Sequence, residues 1–400
     1  MTVTAMGRGG EVEKLAFMAQ ALEKRRQEQR ARELVAGRPS AGALWHQGEE
    51  TLVNFSGNDY LGLAHHPAVV AGAQAYLSRY GAGATASRLV TGTLEIHQAL
   101  EQRLAAACGY EAALLLNTGF QANATVLGTL VDRQSLVLAD RQVHRSVIQG
   151  LQASRAPFQR FHHNDLNHLE ALLLRHRRLG TQRVVIVTET VFSMDGDQAD
   201  VAALVSLADR HGAILYLDDA HGFGVMGQKG MGLAAHQPGI DVVVATFGKA
   251  FGAFGAVVMG SQLLRDYLIN HCPGLIYTTA LPPAVIGAIG AALDLMPHLD
   301  PQRQHLQAQA TTLRQRLQAQ GWDTAASSSQ IVPVVVGRED QTLDLAAHLR
   351  RSGLLAIAIR PPTVPPGTAR LRLALSSAHT AEQYDRLLAA LDSWPRPHSR

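Results

Sequence analysis

Between residues 112 and 259 the chain alternates short apolar runs with longer stretches whose apolar residues recur every three or four positions. The runs fall at 112–116, 136–139, 183–187, 213–217, 242–245 and 256–259. A strand apolar on both faces belongs in a parallel sheet covered by helices on both sides, so this stretch predicts an α/β domain. Beyond Gly260 the periodicity predicts helices at 263–269, 283–296 and 302–320. They lead to a smaller unit with strands at 331–336, 354–359 and 371–375 and helices at 343–351 and 381–391. Near the start, Leu15, Met18, Ala19 and Leu22 are spaced for a helix within 11–34, followed by a glycine- and serine-containing connector to the apolar Leu52-Val53-Asn54-Phe55. The expected organisation is an N-terminal helix or arm (1–55), a large α/β domain (56–295) and a small C-terminal α+β domain (296–400).

A length of 400 residues, 46% hydrophobic and 17% charged, suits a globular chain with core enough for two domains. The net charge is only +3, and the one dense basic cluster, Lys24-Arg25-Arg26 with Arg30 and Arg32, is interleaved with Glu23, Glu28 and Glu33. That is a solvated helix face, so no nucleic-acid partner is expected. Two cysteines, Cys108 and Cys272, make neither a disulfide framework nor a thiolate metal cage. No run approaches the roughly 18 apolar residues of a membrane helix, and a cytoplasmic protein without a membrane partner is expected.

Candidate chemistry changes this picture most at Lys249. Of the 36 Lys and Arg residues only Lys14, Lys24, Lys229 and Lys249 are lysines, and Lys249 interrupts an apolar, glycine-rich run from Val242 to Gly252. An arginine stays protonated, whereas a lysine in apolar surroundings loses pKa and becomes a nucleophile or an imine-forming amine. After the run at 213–217 come Asp218, Asp219, Ala220 and His221; a carboxylate there needs a cation, which a protonated pyridine nitrogen supplies. A capping aspartate beside a satisfied histidine is the plain alternative, and a metal on Asp218, Asp219 and His221 is a third. Thr118-Gly119-Phe120-Gln121-Ala122-Asn123 follows the first run and opens a helix, either as a phosphate cradle or as an ordinary threonine cap. Asp140, His144 and Ser146 set an imidazole at the same sheet edge, where it can stack on a planar ring, and Phe192-Ser193-Met194-Asp195-Gly196-Asp197 adds a hydroxyl and a turn. Gly222-Phe223-Gly224-Val225-Met226-Gly227 has the form of a dinucleotide-binding motif, but glycine-rich loop follows where a helix is required. A nicotinamide dehydrogenase is therefore the distant alternative. Amine, carboxylate, phosphate cradle, stacking imidazole and hydroxyls together fit pyridoxal 5′-phosphate.

At these residues the chain resembles the α-oxoamine synthases, fold-type I pyridoxal-phosphate enzymes. The resemblance runs from about Leu22 to the C-terminal helix. It is carried by Asn58-Asp59-Tyr60-Leu61-Gly62-Leu63, Thr188-Glu189-Thr190-Val191-Phe192-Ser193-Met194-Asp195-Gly196-Asp197, Asp218-Asp219-Ala220-His221-Gly222, Thr246-Phe247-Gly248-Lys249 and Ala369-Arg370-Leu371-Arg372-Leu373. Ile359-Arg360-Pro361-Pro362-Thr363-Val364-Pro365 tilts it toward the biotin-pathway branch.

The resemblance implies a mostly parallel seven-stranded sheet in the large domain and catalytic roles for Lys249, Asp218 and His144. Lys249 would hold the cofactor, Asp218 its ring nitrogen, His221 and Ser193 its ring hydroxyl, and His144 its face. Gly119, Phe120 and Thr246 would hold the phosphate, with Tyr277 and Thr278 of a partner subunit, which makes a homodimer. Asn58 and Arg372 would bind the amino-acid carboxylate; Arg32 and Thr363 would line the acyl side. The implied reaction is decarboxylative condensation of L-alanine with a pimeloyl thioester, carried on coenzyme A or an acyl carrier protein. The alternative is a sister synthase using glycine or serine with another acyl-CoA. Ser87-Arg88 departs from the Gly-His or Ser-His of many biotin-pathway enzymes and also occurs in sister enzymes.

Overall fold

The structure is a computed structural model that describes residues 14–28, 30–178 and 183–395. Fourteen strands are named in chain order: β1 Arg38–Ser40, β2 Leu44–Gln47, β3 Glu50–Asn54, β4 Ala112–Leu116, β5 Ser135–Asp140, β6 Phe158–Phe161, β7 Arg183–Glu189, β8 Ile214–Asp218, β9 Val242–Thr246, β10 Ala256–Gly260, β11 Ile331–Gly337, β12 Leu354–Leu355, β13 Ala358–Ile359 and β14 Ala369–Ala374. Strands β4 to β10 form one seven-stranded sheet in the order β4-β10-β9-β8-β7-β5-β6. The pairs from β9 through to β6 are parallel, while β10 runs antiparallel to both β9 and β4. The exception has a simple cause. Residues 247–255 are too short for the dozen or more residues of a parallel crossover, so β9 turns straight back into its neighbour.

Both faces of this sheet are dry, as the continuous apolar runs require. Leu114, Val137, Val185, Tyr216, Val244 and Val258 pack on one side, in the core that includes Val126 and Leu127 of the helix Gly119–Leu130 and Val147 and Leu151 of the helix Arg145–Ser154. Leu115, Leu138, Ile186, Leu217, Val243 and Val257 pack on the other, in a core that continues to the three-stranded sheet β11-β14-β13 through Ile331, Val334, Leu371 and Leu373. The five strands β4, β5, β7, β8 and β9 point the same way, so Leu116, Asp140, Glu189, Asp218 and Thr246 end along one edge. Ligands of open α/β sheets bind at that edge.

Several expectations are corrected. Strand β6 lay unrecognised because its residues, Phe-Gln-Arg-Phe, sit at the sheet margin and are only partly buried. The expected strand at 354–359 is two: β12 pairs in parallel with β3, and β13 pairs with β14, with the backbone N–H of Ile357 given to the Ser56 hydroxyl between them (2.9 Å). The connector before β3 holds a three-stranded meander, β1-β2-β3. The N-terminal helix spans Ala16–Gln27 rather than 11–34; Glu11 to Glu13 of that expected helix lie outside the described residues. Its chain then turns aside to place Arg30 on Glu339 (2.7 Å). Among the described residues no helix is long and apolar enough to cross a membrane, and both cysteines are free and buried.

The helices Pro67–Tyr80 and Pro283–Leu295 meet at Gly72 and Gly287, where a Cβ on Gly72 would lie 2.6 Å from the Gly287 carbonyl oxygen and a Cβ on Gly287 would strike that of Gly72. Gly287→Ala is expected to cost about 1–3 kcal/mol, as overpacking does, and to lower the Tm. In Gly128→Ala the new methyl would be 3.5 Å from its nearest neighbour, and helix propensity leaves the Tm equal or higher. Thermal unfolding of both variants checks the pair; equal Tm values would refute the close crossing.

Candidate active site

The turn 247–255 carries Lys249 and is pinned from three sides. Phe247 and Phe251 are fully buried and pack with Phe223, whose ring stacks on Phe251 at 4.6 Å. The Phe247 N–H bonds the Gly255 carbonyl (3.0 Å), and Gly252 takes φ +61° against the backbone of Leu63 and Ala64, where no side chain fits. A rigid turn thus presents a half-buried lysine whose amine has no hydrogen bond or ion pair among the described residues. Burial lowers its pKa to about 8; the carboxylates of Asp218 and Glu189 pull the other way, and the Arg372 guanidinium lowers it further.

Asp218 ends β8 with its carboxylate fixed at both oxygens: Oδ2 accepts from Asn123 Nδ2 (2.6 Å) and Oδ1 from the N–H of Ala220 (3.0 Å). Asn123 is itself oriented, since Tyr216 donates to its Oδ1 (2.9 Å) and its Nδ2 also donates to Ser146 Oγ (3.0 Å). Glu189, directly across from Asp218 in the β7–β8 register, is buried with Oε1 lacking any partner among the described residues. Burial, then the neighbouring Asp218 charge, pushes its carboxyl well above the usual range.

His221 is buried, and its pKa falls well below the ordinary value through burial and then through the charges of Lys249 and Arg372. Its neutral ring shares a 2.7 Å bond with the Tyr60 hydroxyl at Nδ1, and its carbonyl accepts from Gln330 (2.8 Å). Arg372 donates to Tyr60 Oη (3.2 Å), to Asn58 Oδ1 (3.1 Å) and, through Nε, to the Ser193 carbonyl (2.5 Å). Although it is only 8% exposed, Arg372 has no carboxylate partner among the described residues, whereas Arg370, two residues earlier on the same strand, pairs with Asp195. A buried guanidinium held entirely by neutral groups is a site for an incoming carboxylate.

His144 caps the helix Arg145–Ser154, with Nδ1 bonded to Ser146 Oγ (2.7 Å). Burial lowers its pKa and keeps it neutral, against the Asp218 charge. Phe120 meets it edge-on at 6.4 Å. Thr118 caps the helix Gly119–Leu130 through Gln121 (3.0 Å), which settles the threonine as a cap; the N–H groups of Gly119 and Phe120 have no acceptor among the described residues. Thr246 spends its hydroxyl on Gly255 (2.9 Å) and Gly248 (3.3 Å), fixing the lysine turn. Thr278 accepts from Gln121 (2.8 Å), while Tyr277 is 84% exposed. Arg32 reaches Thr363 at 3.4 Å on the exposed side.

Tyr60, Asn123, Glu189 and Gln330 went unassigned in the sequence, although a buried polar residue amid apolar neighbours is the signal that could have singled them out. The glycines at 222–227 serve packing. A Cβ on Gly222 would strike the buried Asp219 carboxylate, and Gly224 and Gly227 take φ +92° and +73° in a loop followed by the short turn Gln228–Gly230. With no long helix there to receive a pyrophosphate, the dehydrogenase alternative is withdrawn. Asp219 does not converge with Asp218 on a metal. It accepts from Thr190 and the N–H of Ala234, and burial raises its pKa to about 7. Arg88 makes a buried bidentate pair with Glu101 (2.7 and 3.1 Å), so this side chain is occupied by a structural contact.

Comparison with known proteins places these groups in context. The model of the aminotransferase class I and II family matches residues 50–391. A putative 8-amino-7-oxononanoate synthase of Desulfosudis oleivorans is 50% identical over 384 residues, covering 96% of this chain and all of that protein. Serine palmitoyltransferase of S. paucimobilis, solved with PLP and myriocin, superposes with a TM-score of 0.87 at 27% identity, covering 96% of this chain and 97% of that one. The 8-amino-7-oxononanoate synthase of Francisella tularensis gives 0.74 at 26%, covering 85% and 97%.

In the protein free of small ligands, acylation of Lys249 by an amine-reactive ester should rise with pH through a midpoint near 8, the ammonium dominating below and the free amine above. Asp218→Asn removes a charge that raises this pKa, so the midpoint should move down. Peptide mass spectrometry across pH measures both; a midpoint that stays fixed in the variant would separate Asp218 from the amine.

Proposed function

The chain belongs to the class I and II aminotransferase family, in its 8-amino-7-oxononanoate synthase branch, and from that membership we propose how its residues condense L-alanine with a pimeloyl thioester, on coenzyme A or an acyl carrier protein, for biotin biosynthesis. It is a pyridoxal-phosphate-dependent acyltransferase. The residues fit pyridoxal 5′-phosphate: an unpartnered amine of lowered pKa, a buried fixed carboxylate beside it, and free N–H groups at a helix start. When bound, that group supplies an electron-accepting ring that stabilises negative charge at the amino acid's Cα.

The geometry supports the following division of work. Lys249 would attach the group and, as a free amine of pKa about 8, would take the Cα proton of alanine. Asp218, clamped by Asn123 and Ala220, would hold a proton on the ring nitrogen. Gly119 and Phe120 would hold the phosphate, with Thr246 keeping the adjoining turn in place. Neutral His221 and Ser193 would meet the ring hydroxyl, and neutral His144 would cover the ring. Arg372 and Asn58 bind the alanine carboxylate until it leaves as CO2, and Arg32 and Thr363 line the acyl entrance. The alanine Cα gives up its proton and bonds the acyl carbon, the C–S bond breaks and the carrier leaves as its thiol, the Cα–carboxyl bond breaks to release CO2, and Cα then takes a proton back, with one proton drawn from water overall. The single observation carrying this reading is buried Arg372, with neutral partners only, beside a lysine of lowered pKa. Serine palmitoyltransferase shares the architecture at 27% identity, so substrate choice rests instead on the 50% identity to the biotin-branch relative.

Purified enzyme offered alanine, glycine and serine against pimeloyl, acetyl and palmitoyl thioesters should turn over alanine with a pimeloyl thioester at least about tenfold faster than any other pair, the discrimination worth about 1.4 kcal/mol. A preference for glycine or serine would assign the chain to a sister activity.

The same reading makes the enzyme a cytoplasmic homodimer, with Tyr277 and Thr278 completing the partner's phosphate site; the exposed phenol of Tyr277 supports it. Mixing Lys249→Ala protein with a Tyr277→Phe, Thr278→Ala variant under subunit exchange should raise activity above either parent, because one site of each heterodimer then carries neither defect. No rise despite proven exchange would put each site within one chain.

A further inference from the structure

One cluster near the site has no part in the mechanism so far. His163, just after β6, lies between two carboxylates on different elements: Nδ1 is 3.0 Å from Asp140 Oδ1 at the end of β5, and Nε2 is 2.8 Å from Asp197 Oδ2 in the 192–197 turn. Carboxylate oxygens only accept, so both bonds form together only when both ring nitrogens carry hydrogen. Burial alone would lower the pKa of His163; hydrogen bonds and charges from Asp140 and Asp197 outweigh it and raise the value to about 9. The next residue repeats the link, Asn164 donating from its backbone to Asp140 (2.9 Å) and from its side chain to Asp197 (2.7 Å). Phe192 lies edge-on to the imidazole at 4.3 Å. The ligand atoms of His163, Asp195 and Asp197 lie within 4.8 Å of one another, yet both His163 nitrogens are engaged and Asp195 is paired with Arg370. An internal cation stands where a metal could have stood.

The clamped turn is the one on which Arg372 leans. It is tied to β14 twice, by Arg370 on Asp195 and by Arg372 Nε on the Ser193 carbonyl. Gly196, at φ +70°, packs against the Ile331 carbonyl of β11, where a Cβ would clash. His163, with Asn164 beside it, ties the same turn to β5 of the seven-stranded sheet. We propose that His163 is a positioning residue for amino-acid recognition: its bridge from Asp140 to Asp197 fixes the 192–197 turn and thereby the Arg372 guanidinium that receives the substrate carboxylate. This rests on the reading of Arg372 as the carboxylate clamp.

The test uses the holoenzyme with L-alanine and a pimeloyl thioester, and four variants. A glutamine amide donates to one carboxylate but turns its oxygen toward the other. His163→Gln is therefore expected to raise the KM for alanine about tenfold, the scale of one charged hydrogen bond, with kcat within about threefold and the thioester KM unchanged. Asp197→Asn, nearly isosteric, should act in the same direction, and the double variant should cost no more than His163→Gln alone because both cut one link. Should His163→Gln fail to fold, Asp197→Asn carries the test by the same split. Arg372→Lys, measured alongside, should raise the alanine KM at least as much. If Arg372→Lys raises it and neither His163→Gln nor Asp197→Asn does, the bridge is not a positioning device. A fall in kcat with an unchanged alanine KM would also overturn it. If Arg372→Lys leaves the KM unchanged, the clamp reading itself fails.

Discussion

An ammonium, two carboxyl groups and a guanidinium share the carboxyl edge of one dry sheet, and the need to solvate them without water governs the local architecture. Lys249, Asp218, Glu189 and Arg372 each shift or hold another's charge, and none sits in a simple ion pair. Neutral dipoles take up the load. Asn123, itself oriented by Tyr216, and the Ala220 N–H hold Asp218; Tyr60, Asn58 and the Ser193 carbonyl hold Arg372. Burying a charge among dipoles that cannot neutralise it keeps it ready for an incoming group of opposite charge.

Holding such a set requires rigid turns, and the chain builds them with aromatic packing and with glycines at positions no side chain can occupy. Phe223, Phe247 and Phe251 lock the lysine turn, while Gly222 and Gly232 leave room for the buried Asp219 carboxylate beneath it. The short return from β9 to β10 that makes this turn also makes β10 antiparallel, so the one irregular strand of the sheet and the reactive amine share a cause. The three-stranded sheet β11-β14-β13 contributes through β14, whose two arginines grip the 192–197 turn.

Parts of this were legible in the residues. Runs apolar on both faces gave the strands of the large sheet to within a residue or two because a strand covered on both sides has no polar periodicity to blur it. The partly buried β6 and the divided 354–359 stretch escaped for the opposite reason, since local pattern does not report which sheet a short strand joins. The formal dinucleotide motif misled because glycine spacing records a steric need without saying whether a phosphate or a carboxylate side chain imposes it.

By itself the sequence determined which chemistry the chain could hold: a lone lysine in an apolar turn, an aspartate and histidine at a strand end, and an arginine on a buried strand are identities that local context already distinguishes. Only the tertiary structure decided how those groups are supported. That Tyr60 meets His221, that Asn123 orients Asp218 and that His163 joins Asp140 to Asp197 are contacts between residues far apart in the chain. Hydrogen bonding acts over about 3 Å in space with no regard for distance along the backbone. Which buried polar groups satisfy one another is therefore fixed by the packing of the sheet and its helices rather than by any local run of residues.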